Sequence, residues 1–180
     1  MSSRFWTDPT VEPKRAFRWY MTLGGEESKI ETYAIKTVKK PSFTVSEVPH
    51  QFVAHTFYYP GRVTWNTVDV TFVDPVVPDQ SAVITNMFVD GGYSVPKDEN
   101  SLSSFSKQKY VTAVGTPRIT QIDADGELVE EWTLNNTFIT NLDFGQLDYS
   151  SEDLVITSVT LRYDYATFFT ANDPASRLTP

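Results

Sequence analysis

Two histidines are the residues of this chain whose type and spacing suggest metal or acid–base chemistry most directly. His50 and His55 are its only histidines. Successive side chains of a β-strand point to opposite faces, so residues five apart are predicted to diverge. A shared metal ion or a catalytic histidine pair is therefore not expected.

Acidic residues offer two further candidates. The run DADGE at 123–127 begins like a calcium-binding loop. The twelfth position counted from Asp123 is Leu134, where such a loop needs a bidentate glutamate. We interpret the run as a hairpin turn, and we interpret the adjacent Glu130 and Glu131 as solvated carboxylates.

Motifs for the common enzyme classes are missing from the sequence. It contains no phosphate-binding glycine loop, no nucleophile elbow and no HExxH motif. We therefore predict no catalytic residues, no metal ligands and no cofactor, and the sequence favours a protein that is not an enzyme.

Composition narrows the class further. The chain has 180 residues, no cysteine and a net charge of −8. This length predicts one domain, and disulfides and thiolate metal sites are excluded. No apolar run approaches the roughly 20 residues of a membrane span, and the N-terminus lacks the apolar segment of a signal peptide. We expect a soluble protein that is made inside the cell and does not insert into membranes.

The charge is unevenly distributed. Between Ile119 and Ser176 the only basic residue is Arg162, and ten of the 23 acids lie between Asp123 and Asp164. A protein that grips nucleic acid through its phosphates needs the opposite sign of charge. Solubility alone is the simpler explanation of this acidity.

The elements that position these residues are mainly strands. Glu152–Phe169 (EDLVITSVTLRYDYATFF) is the longest stretch with a strand period, and it predicts one face of Val155, Thr157, Val159, Leu161, Tyr163 and Tyr165. Alternation also predicts strands over 16–23, 28–38 and 63–73, and a hairpin about Ala124–Gly126. One short helix is predicted over 79–89, capped by Asp79, and 93–109 is predicted to be a loop.

These elements predict a single β domain over 15–169, with an arm at 1–14 and a tail at 170–180. Phe5 and Trp6 in the arm either dock on a partner or pack back on their own domain. Residues 39–62 form a connection that is long for a compact domain, which we interpret as an extended, partly β loop.

The order of segments resembles the tail tube proteins of contractile-tailed bacteriophages. The resemblance covers about 14–167, from the opening strand AFRWYMTL through the loop KKPSFTVSEVPHQFVAHTFYYPGRV and the strand TWNTVDVTFV to EWTLNNTFITNLDFGQLDYSSED and the closing strand VITSVTLRYDYA. The hemolysin-coregulated protein of type VI secretion is similar in fold.

The resemblance implies an antiparallel β-sandwich or half-barrel subunit with one short helix and a long loop. Six copies would form a ring whose sheets complete an inner β-barrel, and stacked rings would form a hollow tube. The implied partners are further copies, sheath, baseplate and terminator proteins, in a virion tail assembled in the host cytoplasm. DNA would pass through without specific binding.

Other functions remain open from the sequence. A baseplate tube-initiator or a tail terminator of the same fold would form a single ring. A carbohydrate-binding β-sandwich is suggested only by four tryptophans and many tyrosines, and Trp19 and Trp65 are better explained as core residues because they lie in alternating strands.

Two sets of residues follow as candidate functional sites. The long loop is expected to leave its own subunit and contact the next ring or a neighbour through apolar and flanking residues: Phe43, Val45, Glu47, Val48, His50, Phe52, Val53, Phe57 and Tyr58. Part of the acidic set is expected to line the channel and repel DNA, unless these acids face the sheath and serve assembly: Asp123, Asp125, Glu127, Glu130, Glu131, Asp143 and Asp148.

Overall fold

The computed structural model describes residues 12–25, 29–97 and 103–171. Most of the predicted arm and tail, including Phe5 and Trp6, lies outside these ranges. The strands are β1 (Trp19–Gly24), β2 (Lys29–Ile30), β3 (Ile35–Val38), β4 (Phe43–Phe52), β5 (His55–Trp65), β6 (Val68–Val73), β7 (Arg118–Ile122), β8 (Leu128–Asn135), β9 (Phe138–Asp143), β10 (Ile156–Arg162) and β11 (Tyr165–Thr170). The helices are α1 (Gln80–Asp90) and α2 (Lys107–Val114), and a 3-10 turn covers Thr32–Ala34.

Three antiparallel sheets organise these strands. One has the order β11-β8-β7-β1-β2, the second has the order β3-β6-β10-β9, and β4 and β5 pair only with each other. The inner faces of the first two sheets contribute to one core, which includes Met21 and Ile119 from one sheet and Val70, Phe72 and Val159 from the other. The predicted mainly β, antiparallel fold is confirmed.

Strand alternation predicts the buried faces well in this sandwich. Val68, Val70 and Phe72 of β6 are completely buried, as the even-numbered apolar face predicts. In β10 the buried residues alternate in the same way, through Val159 and Leu161. These two strands pair directly along their length, and their side chains therefore form the centre of the core.

Several predicted strands are interrupted where the chain changes sheet. The single strand predicted over 152–169 is wrong: it divides into β10 and β11, which belong to different sheets. The strand predicted over 63–73 breaks at 66–67, and the one over 28–38 divides at a 3-10 turn. Alternation continues through each break, so periodicity could not reveal that the partner strand had changed.

The prediction of one short helix is also wrong, because the described residues contain two. Asp79 caps α1 as predicted, with its carboxylate accepting a hydrogen bond of 2.8 Å from the Ala82 amide. Helix α2 occupies a segment predicted partly as loop, and it buries only Tyr110 and Val114. Its polar surface concealed the helical period. Neither helix is of the length and apolarity that crossing a bilayer requires.

Candidate functional site

The nine residues predicted for the contact loop all lie on the hairpin formed by β4, β5 and the turn between them. The segment is a regular two-stranded ribbon rather than an extended, partly β loop, and the two strands pair from Phe43 opposite Trp65 to Phe52 opposite His55. Every residue of β4 is exposed. Among the described residues, no other strand pairs with this ribbon.

The pairing register gives the hairpin two chemically different faces. Side chains directly opposite each other in an antiparallel pair share a face. Beyond the bulge, one face is apolar and aromatic: Val48, His50, Phe52, His55, Phe57 and Tyr59. The other face is mixed and carries Glu47, Pro49, Gln51, Thr56, Tyr58 and Pro60, with Phe43, Val45, Val63 and Trp65 at its base. The predicted contact residues are therefore divided between the two faces, with Phe43, Val45, Glu47 and Tyr58 opposite to Val48, His50, Phe52 and Phe57.

A bulge between Val45 and Glu47 interrupts the pairing near the base of the hairpin. The extra residue lies on β5, where Gly61 and Arg62 together oppose Ser46, so β4 alternates without a break and Val48 lies on the opposite face from Val45. The Ser46 hydroxyl accepts a hydrogen bond of 2.9 Å from the Arg62 amide. Glycine is required at 61 because a Cβ there would lie 2.3 Å from the Ser46 Oγ and 2.9 Å from its carbonyl oxygen.

The expectation that His50 and His55 diverge is wrong. They lie on neighbouring strands, where His50 pairs with Phe57 and His55 pairs with Phe52. Both imidazoles therefore share the apolar face, and the His50 ring contacts that of Tyr59 at 6.4 Å. The described residues contain no group of three or more histidines and acids placed to hold a metal ion.

Aromatic contacts anchor the hairpin to the sandwich at its base. The Trp65 ring lies 5.3 Å from that of Phe43 and 5.9 Å from that of Tyr163. A cavity of about 550 Å³ adjoins this base and is lined by Trp65, Tyr163, Phe138 and Tyr110 among others. Trp65 thus connects the base of the hairpin to the core.

A buried ionic cluster fixes the base of the hairpin from the other side. Glu130 is 5% exposed, and its two carboxylate oxygens accept hydrogen bonds from Lys14 and Lys40. Lys40 also donates to Gln121 at 2.8 Å. Burial raises the pKa of Glu130, but the hydrogen bonds and charges of the two lysines outweigh it and lower the pKa overall.

This cluster corrects the interpretation of Glu130 as solvated. The charge of Glu130 is neutralised by two lysines, so it would add no free negative charge to a channel wall. Sequence reasoning also missed Lys14 and Lys40 as functional residues. Alternation along β8 was the available signal, since it places Glu130 on the same face as Trp132 and Leu134.

The other candidate channel acids do not share one surface. Asp123, Asp125 and Glu127 lie at the β7–β8 turn, where the Asp123 carboxylate accepts hydrogen bonds of 2.9 Å from the amides of the other two. The plain turn is the structure expected for DADGE. Glu131 is on β8, on the opposite face from Glu130, and lies 3.7 Å from Arg118.

The last two candidate acids lie at another end of the molecule. Asp143 ends β9, and Asp148 lies in the connection that follows it. Hydrogen bonds from the Ser150 amide and hydroxyl lower the pKa of Asp148 and favour its ionised form. The seven predicted acids therefore occupy several separate places, and which of them face a channel stays a prediction.

Comparison with known proteins places the fold. No family model and no curated protein matches the chain. Solved structures match over most of its length. The sheath–tube complex of the extracellular contractile injection system PVC in the extended state contains a chain with a TM-score of 0.63 and 18% identity, covering 90% of this chain and 95% of that one.

Two further structures are similar. A chain of the anti-feeding prophage tube-terminating cap gives a TM-score of 0.65 at 17% identity and covers 89% of this chain and 93% of that one. A chain from the tail of an empty GTA particle, refined with C6 symmetry, gives 0.50 at 13% identity, with coverage of 88% and 100%. At these identities the likeness shows a shared fold, and this is the fold that the sequence resemblance implied.

Proposed function

We propose that this chain is a structural subunit that forms hexameric rings, and that the rings stack into the hollow tube of a contractile tail. The observation that carries the proposal is the projecting hairpin. It presents an apolar face that the described residues leave uncovered, on a fold found in contractile injection assemblies. Exposed apolar surface of this extent is typical of surfaces that bind a partner.

The edges of the four-stranded sheet support the proposal of ring closure. Its edge strands β3 and β9 have no further strand partner within the described residues. Unpaired edges invite pairing with another chain, and closing a ring removes them. Six copies of this sheet would complete an inner barrel.

The outer face of the same sheet suits a channel wall. Pairing places hydroxyl and amide side chains beside Asp69, which accepts a hydrogen bond of 2.9 Å from the Thr160 hydroxyl. Arg162 on β10 and Lys36 on the edge strand β3 are the only bases on the four strands of this sheet. A wall with few cations offers few places to hold phosphates, so DNA would pass without being bound. Repulsion from the acids would act within about 8 Å of the wall at physiological salt.

The remaining parts of the proposal concern context. The subunit would act in a virion tail, inside a sheath and between baseplate and terminator proteins, and it would have no enzymatic activity. A terminator role, in which one ring caps the tube, is the second candidate. It is favoured by the similarity to a chain of a tube-terminating cap.

Negative-stain electron microscopy of the purified protein tests the assignment. Long tubes support a tube subunit, and single rings support a terminator or initiator. We expect ring interfaces in the obligate class, burying roughly 2,000 Å² or more. A protein that stays monomeric at high concentration, with neither rings nor tubes under any condition, would contradict the proposal.

Deletion of residues 44–56 tests the role of the hairpin. The ribbon pairs only with itself, so both larger sheets remain intact when it is shortened. The variant should fold with a thermal unfolding transition near that of the unmodified protein, and it should form rings that do not stack. Tubes that still grow from this variant would exclude the hairpin from stacking.

A further inference from the structure

The end of the molecule opposite the hairpin also exposes apolar residues. The register of β6 with β10 defines the two ends of the sheet. Val68 pairs with Leu161 at the end next to the hairpin, and Val73 pairs with Ile156 at the far end. Six strand residues span roughly 17–20 Å. Two connections lie beyond Val73 and Ile156, residues 74–79 and 144–155, and we call them the receiving loops.

The receiving loops carry large apolar side chains that their own chain does not cover. Leu147 is 83% exposed and Leu154 is 68% exposed. Further exposed apolar residues on the same two connections are Val76, Val77, Phe144 and Tyr149. One apolar surface therefore lies at each end of the four-stranded sheet, on the hairpin and on the receiving loops.

The charges at the two ends have opposite signs. Residues 39–65 hold Lys39 and Arg62 against the single acid Glu47, besides Lys40, whose charge is paired with Glu130. Residues 144–155 hold Asp148, Glu152 and Asp153 and no base. Complementary potentials favour encounter and fix orientation, and like ends repel each other. Hairpin-to-hairpin contact is disfavoured for the same reason.

We propose that the receiving loops bind the apolar face of the hairpin from a second copy of this chain in the next ring. The inference rests on the proposed function and specifies the surface on which stacking occurs. A contact between two different surfaces of one molecule is heterologous, and it propagates without closing when the copies are related by translation along an axis. The same contact then assigns Asp148 to the junction between rings rather than to the channel.

Two variants with one damaged end each provide the test. Leu147→Ser with Leu154→Ser damages the receiving loops, and Phe52→Ser with Phe57→Ser damages the hairpin. All four side chains are exposed, so neither variant should lose its fold. Each variant alone should form rings that do not stack, with tube mass in sedimentation reduced at least tenfold. Val89→Ser, at an exposed valine on α1, is the matched control and should form normal tubes.

Mixing the two variants distinguishes heterologous from like-with-like contact. Each retains one intact end, so a mixture should form stacks of two rings that grow no further. Tubes from the receiving-loop variant, or a mixture in which no ring pairs form, would overturn the inference while the tube assignment stands. Absence of rings and tubes from the unmodified protein would instead contradict the proposed function.

Discussion

The sandwich and the hairpin contain similar residues in opposite surroundings. Phe72 on β6 is 0% exposed, whereas Phe57 on β5 is 52% exposed. Both belong to alternating strands, and both have an apolar face. Only the sandwich has a second sheet to cover that face. The difference teaches that alternation identifies a face that must be covered but does not say which chain covers it.

The test with the largest expected effect replaces one phenylalanine by alanine in each region. Phe72→Ala should lower the free energy of unfolding of the monomer by about 3–5 kcal/mol, because it leaves a cavity in the core. Phe57→Ala should change it by less than about 1 kcal/mol, because the side chain is already half exposed and only cross-strand contacts are lost. Chemical denaturation below the concentration of assembly measures both. A large loss from Phe57→Ala would show that the hairpin is covered within its own subunit.

Glu130 on β8 binds Lys40 in the link that leads to the hairpin, so it joins the two regions. Its replacement should have the next largest effect on the free energy of unfolding. Glu130→Ala removes the acceptor that Lys14 and Lys40 share and should cost about 2 kcal/mol at neutral pH. Glu130→Gln separates loss of charge from loss of packing and should cost less. Tube yield should fall together with stability, because Lys40 lies in the link between β3 and β4.

The pH dependence of this effect has a definite sign. The pKa of Glu130 is lower in the folded state, so its contribution is complete above the unfolded value of about 4.3 and is lost as pH falls through the folded value. The difference in stability between the unmodified protein and Glu130→Ala should shrink below about pH 4.3. A difference that is constant from pH 7 to pH 3 would show that the carboxylate charge contributes nothing.

A smaller test concerns helix α1 of the domain body, away from the hairpin. Asp79→Ala removes the cap acceptor of the Ala82 amide and should cost about 1 kcal/mol of stability. Because Asp79 also ends one of the receiving loops, stability and tube length are measured separately. Asp90→Ala, at the other end of the same helix, is the matched control. A carboxylate is unfavourable at a helix C-terminus, so this change should be neutral or slightly stabilising. A change in tube length from Asp79→Ala would couple the helix to the contact between rings.

The same comparison explains which features of the fold can be predicted from the sequence. The buried faces of β6 and β10, the Asp79 cap and the Ala124–Gly126 turn depend on local patterns, and they are predicted correctly. The division of 152–169 between two sheets depends on partner strands distant in sequence, and periodicity does not record a change of partner. The shared face of His50 and His55 depends on the cross-strand register about the turn, which intervals along one strand do not reveal.

The pairing of Glu130 with Lys14 and Lys40 was unpredictable for a related reason. Its neutralising lysines are 116 and 90 residues away in sequence. A glutamate beside another glutamate is most simply read as solvated, and only the tertiary structure brings Lys14 and Lys40 to it. Contacts between residues distant in sequence therefore determine the ionic cluster at the base of the hairpin. They also determine that the acids lie in several separate places, and the sequence revealed neither feature.

The smallest expected effect is at the tip of the hairpin. Val53 is 93% exposed and has a φ of 53°, a conformation that β-branched residues rarely adopt. Val53→Gly should relieve strain of the order of 1 kcal/mol, and the greater freedom of glycine in the unfolded chain offsets most of that gain. The net change should be a few tenths of a kcal/mol, seen as slower amide hydrogen exchange in β4 and β5. If the valine side chain contacts the next ring, the same substitution should weaken stacking while it stabilises the hairpin. Opposite signs for these two measurements would identify Val53 as a contact residue, and unchanged tubes would confine its role to the turn.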